Sequence, residues 1–217
     1  MIVSIHQPAY LPWLGYVDRI KKSDLFIFLD SVQFEKNSFT NRNLIKGANG
    51  SHWLTIPINK KGHLSKSLID IEMASDIDWR KNHLKSIKSN YSKSAEFHSK
   101  YIKLYNLYEN NETHLADLCF NHLLFWLEEF DIKTKIIRSS SLNISSRKSD
   151  LILDICQEVG ATTYLSGPMG KNYLEENNFI SNGIKLNYHS FEQVPYPQLF
   201  GPFIPYMGII DYWFNVK

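Results

Sequence analysis

The sequence has few cysteines, little net charge and no long hydrophobic run. Its two cysteines, Cys119 and Cys156, lack the spacing of a metal site, so we expect buried free thiols and no metal. A formal net charge of +2, without a dense Lys/Arg block, argues against DNA as a partner. No apolar run approaches the ~20 residues of a membrane span, and the N-terminus lacks a basic leader. These absences predict a cytoplasmic protein without a membrane insertion.

The composition provides enough apolar residues for a substantial core. The chain has 217 residues, of which 43% are hydrophobic and 14% aromatic. This length suits one domain, and the aromatic content fits either a ring-lined pocket or a thick core. From Trp79 onward the apolar residues recur at helical spacing. We therefore expect a single α/β domain over residues 1–217, with a helical layer at about residues 79–130.

Short apolar runs alternate with helical patterns and predict a Rossmann-like, mainly parallel sheet with helices on both faces. The expected strands cover residues 2–5, 25–29, 53–57, 135–137, 162–165 and 184–188. In open α/β sheets ligands bind beyond the carboxyl ends of the strands. We expect His6 and Ser166 to end neighbouring strands on one edge of the sheet, which places both at a candidate site.

The first strand ends in the polar pair His6-Gln7, and Pro8 then removes a backbone donor and stops it. His6 could act as an acid, a base or a phosphate donor, or it could be a structural histidine bonded to a backbone carbonyl. The loop that follows carries three rings that could stack on a sugar or a base: Tyr10, Trp13 and Tyr16.

A second candidate lies between the expected strands. Arg42 and Lys46, with Asn41 and Asn43 beside Arg42, are suited to bind a phosphate or a carboxylate. Gly47 favours a sharp turn, which would let both cations converge on one anion. The alternative is an exposed basic loop.

Small and polar residues mark two further segments. Ser166-Gly167 follows an expected strand, and glycine there would let the backbone approach a ligand, although a tight turn explains the same residues. No nucleotide-binding glycine pattern is present. In the C-terminal tail, Tyr196, Gln198 and Asp211 either close over the site or belong to a packed C-terminus.

Five segments, in this order along the chain, resemble the WbqC-like family. They are residues 6–16, 30–34, 41–46, 164–167 with Tyr173, and 196–198. The family is associated with gene clusters for bacterial O-antigen (lipopolysaccharide) and other surface glycans. One departure lies in the tail, where the family pattern has a small hydroxyl residue before Ile-Ile-Asp211 and this sequence has Gly208.

The resemblance implies an enzyme that modifies an activated amino sugar. Together with the candidate base and anion site, it leads us to expect a transferase that moves an acyl or aminoacyl group to the amine of a nucleotide-linked amino sugar. The donor is unknown and would be an acyl-carrier or CoA thioester, or an aminoacyl carrier. His6 would be the base, while Gln7 and Gln33 orient the sugar and Arg42 and Lys46 hold a phosphate group. The other expected substrate contacts are Tyr10, Trp13, Tyr16, Asp30, Asn41, Asn43, Ser166, Gly167, Tyr173, Tyr196, Gln198 and Asp211.

A weaker, fold-level resemblance concerns the nucleotidyltransferase and pantothenate-synthetase group. The second histidine of that group's signature is missing, since Tyr10 or Trp13 occupies the loop. This leaves two alternatives open. One is nucleotidyl transfer or ATP-dependent ligation with ATP and magnesium. The other is a non-catalytic protein that binds a sugar or a nucleotide.

Overall fold

The computed structural model describes all 217 residues, and the contacts divide them into two compact units. The first, here called the sheet unit, comprises Met1–Pro8, Gly15–Val32 and Leu127–Glu192. The second, the hairpin unit, comprises Ala9–Leu14, Gln33–Trp126 and Gln193–Lys217. The expected single domain over residues 1–217 stays a prediction.

The chain forms seven strands and seven α-helices. The strands are β1 (Ile2–His6), β2 (Leu25–Phe28), β3 (Arg42–Gly47), β4 (Gly50–Thr55), β5 (Lys135–Arg138), β6 (Thr163–Ser166) and β7 (Lys185–Tyr188). The helices are α1 (Leu14–Lys21), α2 (Trp79–Tyr91), α3 (Phe97–Tyr108), α4 (Leu115–Glu129), α5 (Lys148–Glu158), α6 (Glu176–Ser181) and α7 (Ile209–Asn215).

The sheet unit contains a five-stranded sheet in the order β5-β2-β1-β6-β7, and every pairing in it is parallel. Parallel sheets are covered on both faces, so their central strands consist almost wholly of apolar residues. The strand β2, with the sequence Leu-Phe-Ile-Phe, is buried along its whole length. The core of this unit is formed by Val3, Ile5, Leu25, Ile27, Ile152, Ile155, Tyr164 and Phe179, among others. The predicted Rossmann-like α/β fold is confirmed.

The order of the strands reverses beside β1. From β1 the chain proceeds to β2 and β5 on one side, and it then returns to add β6 and β7 on the other side. The topological switch point, where open α/β sheets bind their ligands, therefore lies at the carboxyl ends of the paired strands β1 and β6. His6 ends β1 and Ser166 ends β6, so both lie at this carboxyl edge, as predicted.

The hairpin unit contains the antiparallel pair β3–β4, with Arg42 opposite Thr55 and Gly47 opposite Gly50. Two expectations are wrong here. Residues 53–57 do not join the parallel sheet, and the segment around Arg42–Gly47 is a strand rather than a sharp turn. Successive residues of β4 alternate between more buried and more exposed, which is typical of an antiparallel strand with one solvated face.

Helices α2, α3 and α4 occupy the segment expected to be helical. The stripe on α2 that the sequence predicts, Trp79, His83, Ile87 and Tyr91, is buried. The side chain of Asp78 begins this helix by accepting a hydrogen bond from the Lys81 amide at 3.2 Å.

Gly208 precedes α7 in a crowded position. Its amide donates to the Leu44 carbonyl at 2.8 Å. A Cβ at this residue would meet the carbonyl oxygens of Leu11 and Leu44, each at 3.1 Å. The close approach of three backbone segments leaves little room for a side chain at Gly208.

Candidate functional site at the carboxyl edge of the sheet

His6 is held in one orientation at the end of β1. Its Nδ1 lies 2.8 Å from the Gln7 carbonyl oxygen. Because a carbonyl only accepts, Nδ1 carries the proton, and in the neutral ring Nε2 carries the lone pair. The Tyr16 ring packs edge-on against the imidazole with centroids 4.8 Å apart, and the Tyr16 hydroxyl donates to the same carbonyl at 3.2 Å. Burial and then the charge of Arg19 lower the pKa of His6 to about 3, although the hydrogen bond to Gln7 opposes this.

Arg19 lies on the buried face of α1 and is only 5% exposed. Its Nε–H is enclosed and meets no acceptor. Burial lowers the pKa of the guanidinium, while Tyr164, Tyr16 and Tyr173 raise it. No carboxylate is among the groups that act on it. This arrangement leaves a buried cation without an anionic partner.

The turn after β6 is shaped around these groups. A Cβ at Gly167 would collide with Nη1 of Arg19, and a Cβ at Gly170 would collide with Oγ of Ser166. The Ser166 hydroxyl donates to the Gly167 carbonyl at 3.0 Å, and its own carbonyl accepts from the His189 amide at 2.8 Å. Glycine at both positions therefore leaves room for these neighbouring side chains.

Asp30 follows β2 and is fully occupied by protein donors. Its carboxylate accepts from Arg138 Nε at 2.5 Å, from the Ser139 hydroxyl at 3.1 Å and from both the amide and the hydroxyl of Ser140 at 2.9 Å. It is completely buried. Asp30 thus joins the ends of β2 and β5, and its expected contact with substrate stays a prediction.

Lys46, in the hairpin unit, is only 2% exposed. Its Nζ donates to Gln198 Oε1 at 3.1 Å and to the Pro202 carbonyl at 2.6 Å. Because β3 is extended and rises about 3.4 Å per residue, the backbones of Arg42 and Lys46 stand roughly 13–14 Å apart. The two cations do not converge through a turn, so that part of the predicted anion site is wrong.

Asp211 is the centre of this network in the hairpin unit. One carboxylate oxygen accepts from the Tyr91 hydroxyl at 2.8 Å. The other accepts from the Tyr196 hydroxyl at 2.7 Å and from Gln198 Nε2 at 2.6 Å. Burial raises the pKa of Asp211, and these hydrogen bonds and the charge of Lys46 partly offset the rise. The tail residues predicted to act together are brought together, in a buried and fully bonded cluster.

Tyr10, Asn41 and Asn43 also point into the hairpin unit. The Tyr10 hydroxyl bonds to His83 Nδ1 at 2.8 Å and to the Tyr108 hydroxyl. The Asn43 amide donates to the carbonyls of Tyr10 and Leu11, and the Asn41 amide donates to the Ile56 carbonyl at 2.9 Å. These contacts fix the backbone around β3.

An exposed row of rings lies on the hairpin unit. The centroid of Phe39 is 5.4 Å from that of Trp13 and 5.8 Å from that of Trp53. The Arg42 guanidinium lies 4.3 Å above the Trp53 ring and donates to the Asn37 carbonyl at 2.7 Å. Phe39 and Trp53 are 44% and 43% exposed. Of the three rings expected to stack on a ligand, Trp13 is the only partly exposed one, because Tyr10 and Tyr16 are buried.

Gln33, which was expected to orient a sugar, is exposed in the hairpin unit. Its side-chain amide donates to the Leu64 carbonyl. Its role in substrate binding stays a prediction.

The structure thus brings His6, Gln7, Tyr16 and Gly167 into one constellation with Arg19, which the sequence reasoning missed. A signal was available, since Arg19 follows Tyr16 by three residues and Gly15 by four, on the face that α1 buries. The hydroxyl bond of Tyr91 to Asp211 was also not predicted. No group of three or more His, Cys, Asp or Glu side chains is arranged to hold a metal ion. None of the helices has both the length and the apolar character needed to span a membrane.

Comparison with known proteins agrees with the sequence motifs. The model of the WbqC-like protein family matches residues 7–217. The chain is also 32% identical, over 216 residues, to an uncharacterized protein of Mycobacterium tuberculosis, Rv1507c. That alignment covers 99% of this chain and 93% of the relative. No solved structure matches the chain. Since the family model covers nearly the whole sequence, the chain belongs to the WbqC-like protein family.

Proposed function

We propose that this protein is a transferase that moves an acyl or aminoacyl group to the amine of a nucleotide-linked amino sugar in surface-polysaccharide (O-antigen) biosynthesis. The observation that carries the proposal is the His6 ring at the switch point of the sheet. Its Nδ1–H is bound to the Gln7 carbonyl, so the neutral ring presents Nε2 as a proton acceptor. The motif resemblance to proteins of surface-glycan clusters supports a sugar as the acceptor.

The reaction can be written around that nitrogen. The sugar amine attacks the carbonyl carbon of the donor, and a C–N bond forms. The bond from that carbon to the carrier sulfur or oxygen then breaks, and the carrier leaves with its electron pair. The amine proton passes to Nε2 of His6, which returns it to the leaving group. A positioned base contributes about 10²–10⁴-fold to the rate when its pKa lies near the operating pH. The pKa of His6 is about 3 in the free protein, so this role requires the pKa to rise when the substrate binds.

The test uses the intact protein with nucleotide-linked amino sugars and a panel of acyl and aminoacyl donors, read by mass spectrometry. In His6→Asn the amide can still donate to the Gln7 carbonyl, but no basic nitrogen remains. We expect this variant to lose at least a hundredfold in rate. His63→Asn, at a half-buried histidine of the hairpin unit whose Nδ1 also lies on a backbone carbonyl, is the matched control and should retain the parent rate.

Two outcomes would overturn the proposal. If the folded parent binds a nucleotide sugar yet yields no product with any donor, the protein is a binding protein instead. If His6→Asn turns over at the parent rate, His6 is not the base.

Nucleotidyl transfer is the second candidate, and Arg19 is the observation that favours it. A buried guanidinium at the sheet edge is suited to offset the charge that develops on a phosphoryl group. Under this alternative the protein releases pyrophosphate from ATP or CTP in the presence of magnesium. A coupled pyrophosphate assay separates the two reactions, since acyl transfer from a thioester releases none.

A further inference from the structure

Arg19 combines two properties that seldom occur together without a ligand. It is almost completely enclosed by α1 and its neighbours, and its guanidinium forms no ion pair. A guanidinium has five N–H donors and stays charged at any ordinary pH. Burying such a charge without a partner is unfavourable, so buried charges are nearly always paired.

The neighbouring acidic group does not provide the missing partner. Asp18, the preceding residue on α1, accepts from Lys22 Nζ at 2.6 Å and contacts His189 Nε2 at 2.7 Å. Tyr16, Tyr164 and Tyr173 are the groups that raise the pKa of Arg19. Neutral phenols do not balance a full positive charge, so the protein itself leaves the charge of Arg19 uncompensated.

Gly167 provides a second, independent observation. Its φ of −68° and ψ of 165° are ordinary for any residue, so the backbone does not require glycine there. A Cβ at this position would instead collide with Nη1 of Arg19. Glycine at this position leaves room for the guanidinium beside the end of β6.

We propose that the Arg19 guanidinium, at the carboxyl ends of β1 and β6, binds one phosphate-type oxyanion of the substrate. The position is the one where open parallel sheets bind their ligands, and the planar fork of arginine fits two oxygens of such a group. A carboxylate has only the two oxygens that the arginine fork would hold, whereas a phosphate has a further oxygen. The hydroxyl of Tyr173, a residue that is 49% exposed, is available to donate to that oxygen. The proposed function supplies only the identity of the substrate, a nucleotide-linked sugar, and the binding itself is independent of turnover.

The experiment measures pyrophosphate binding to the full chain by isothermal titration calorimetry at constant ionic strength, with acetate as the carboxylate probe. Arg19→Met removes the charge and keeps the length of the side chain. We expect its pyrophosphate affinity to fall roughly ten- to a hundredfold. Lys21→Met, on the exposed face of the same helix, loses the same charge and should stay within about twofold of the parent.

Thermal unfolding without any anion gives a readout that a structural role would move in the opposite direction. Since an unpaired buried charge is removed, Arg19→Met should melt at or above the parent temperature. A clear fall in its melting temperature would show that Arg19 is a structural cation and overturn the proposal.

Gly167→Ala keeps the charge of Arg19 and tests its position, including in the case where Arg19→Met does not fold. It should weaken pyrophosphate binding because the new methyl group displaces the guanidinium. Unchanged affinity in Gly167→Ala would overturn the proposal, and so would acetate binding as tightly as pyrophosphate to the parent. Pyrophosphate binding that persists in a protein without transferase activity would overturn the proposed function and leave the anion site standing.

Discussion

The two units each bury a basic side chain, and they treat it differently. In the hairpin unit, Lys46 donates to Gln198 and to the Pro202 carbonyl and lies near the Asp211 carboxylate. In the sheet unit, Arg19 is buried to a similar degree and has no anionic partner. A buried cation whose donors are used stabilises the fold, whereas one whose donors are unused is available to a ligand.

The buried aspartates Asp30 and Asp211 differ from His6 in how their side chains are bonded. Asp30 and Asp211 are both fully buried and accept three or more hydrogen bonds each, so their charge is already compensated. In His6 the bond from Nδ1–H to the Gln7 carbonyl leaves the lone pair of the neutral ring on Nε2. Burial alone therefore does not identify a functional residue.

The largest effect on stability is expected from Lys46→Met. The change leaves the Pro202 carbonyl without the Lys46 donor, leaves Gln198 Oε1 with the Ile204 amide alone, and removes a cation that acts on Asp211. We expect the free energy of unfolding to fall by about 2–4 kcal/mol, which corresponds to a melting temperature lower by roughly 5–15 °C.

Differential scanning calorimetry checks this, with the exposed Lys21→Met as the control. The folded variant should still bind pyrophosphate at the parent affinity. A melting temperature equal to that of the parent would mean that Lys46 is not a structural cation, and the contrast with Arg19 would be lost.

A smaller effect concerns the ionisation of His6. In the free protein burial and the charge of Arg19 lower its pKa to about 3, below the 6.5 of an unfolded histidine. His6 therefore contributes stability above pH 6.5 that is lost as the pH falls from 6.5 towards 3. An anion on Arg19 would neutralise one cause of the lowering, so we expect the pKa of His6 to rise when pyrophosphate binds.

Nitrogen-15 NMR of labelled histidine rings over a pH series measures this shift, with His6→Asn used to assign the resonance. In Arg19→Met the pKa of His6 should already be higher and should not respond to pyrophosphate. If the pKa of His6 still responds to pyrophosphate in Arg19→Met, the anion binds elsewhere and Arg19 does not mediate the shift.

The smallest effect is expected from Arg42→Ala. This side chain is half-buried, stacks on Trp53 and donates to a single carbonyl. The loss of a cation–π contact at a partly exposed site costs about 0.5–1 kcal/mol, and pyrophosphate affinity should change less than twofold. A tenfold loss of affinity in Arg42→Ala would move the anion site to the hairpin unit and reverse the assignment of the two arginines.

Local patterns were sufficient for most of the sheet unit. The apolar runs predicted β1, β2, β5, β6 and β7, and the polar pair at the end of β1 correctly placed His6 at the carboxyl edge of the sheet. The prediction was wrong for residues 53–57 and for the turn around Arg42–Gly47, because short apolar runs do not reveal which strand they pair with.

What the sequence determined by itself is the α/β class, the family and the position of His6, since these depend on runs of neighbouring residues and on short motifs. The roles of the two buried cations were decided only by the tertiary structure. Lys46 meets Gln198 and Pro202, which lie 152 and 156 positions further along the chain. Arg19 packs on Gly167, 148 positions away by residue number, without meeting an acceptor. Whether a buried charge is compensated depends on groups brought together by folding, and no local pattern of residues records that.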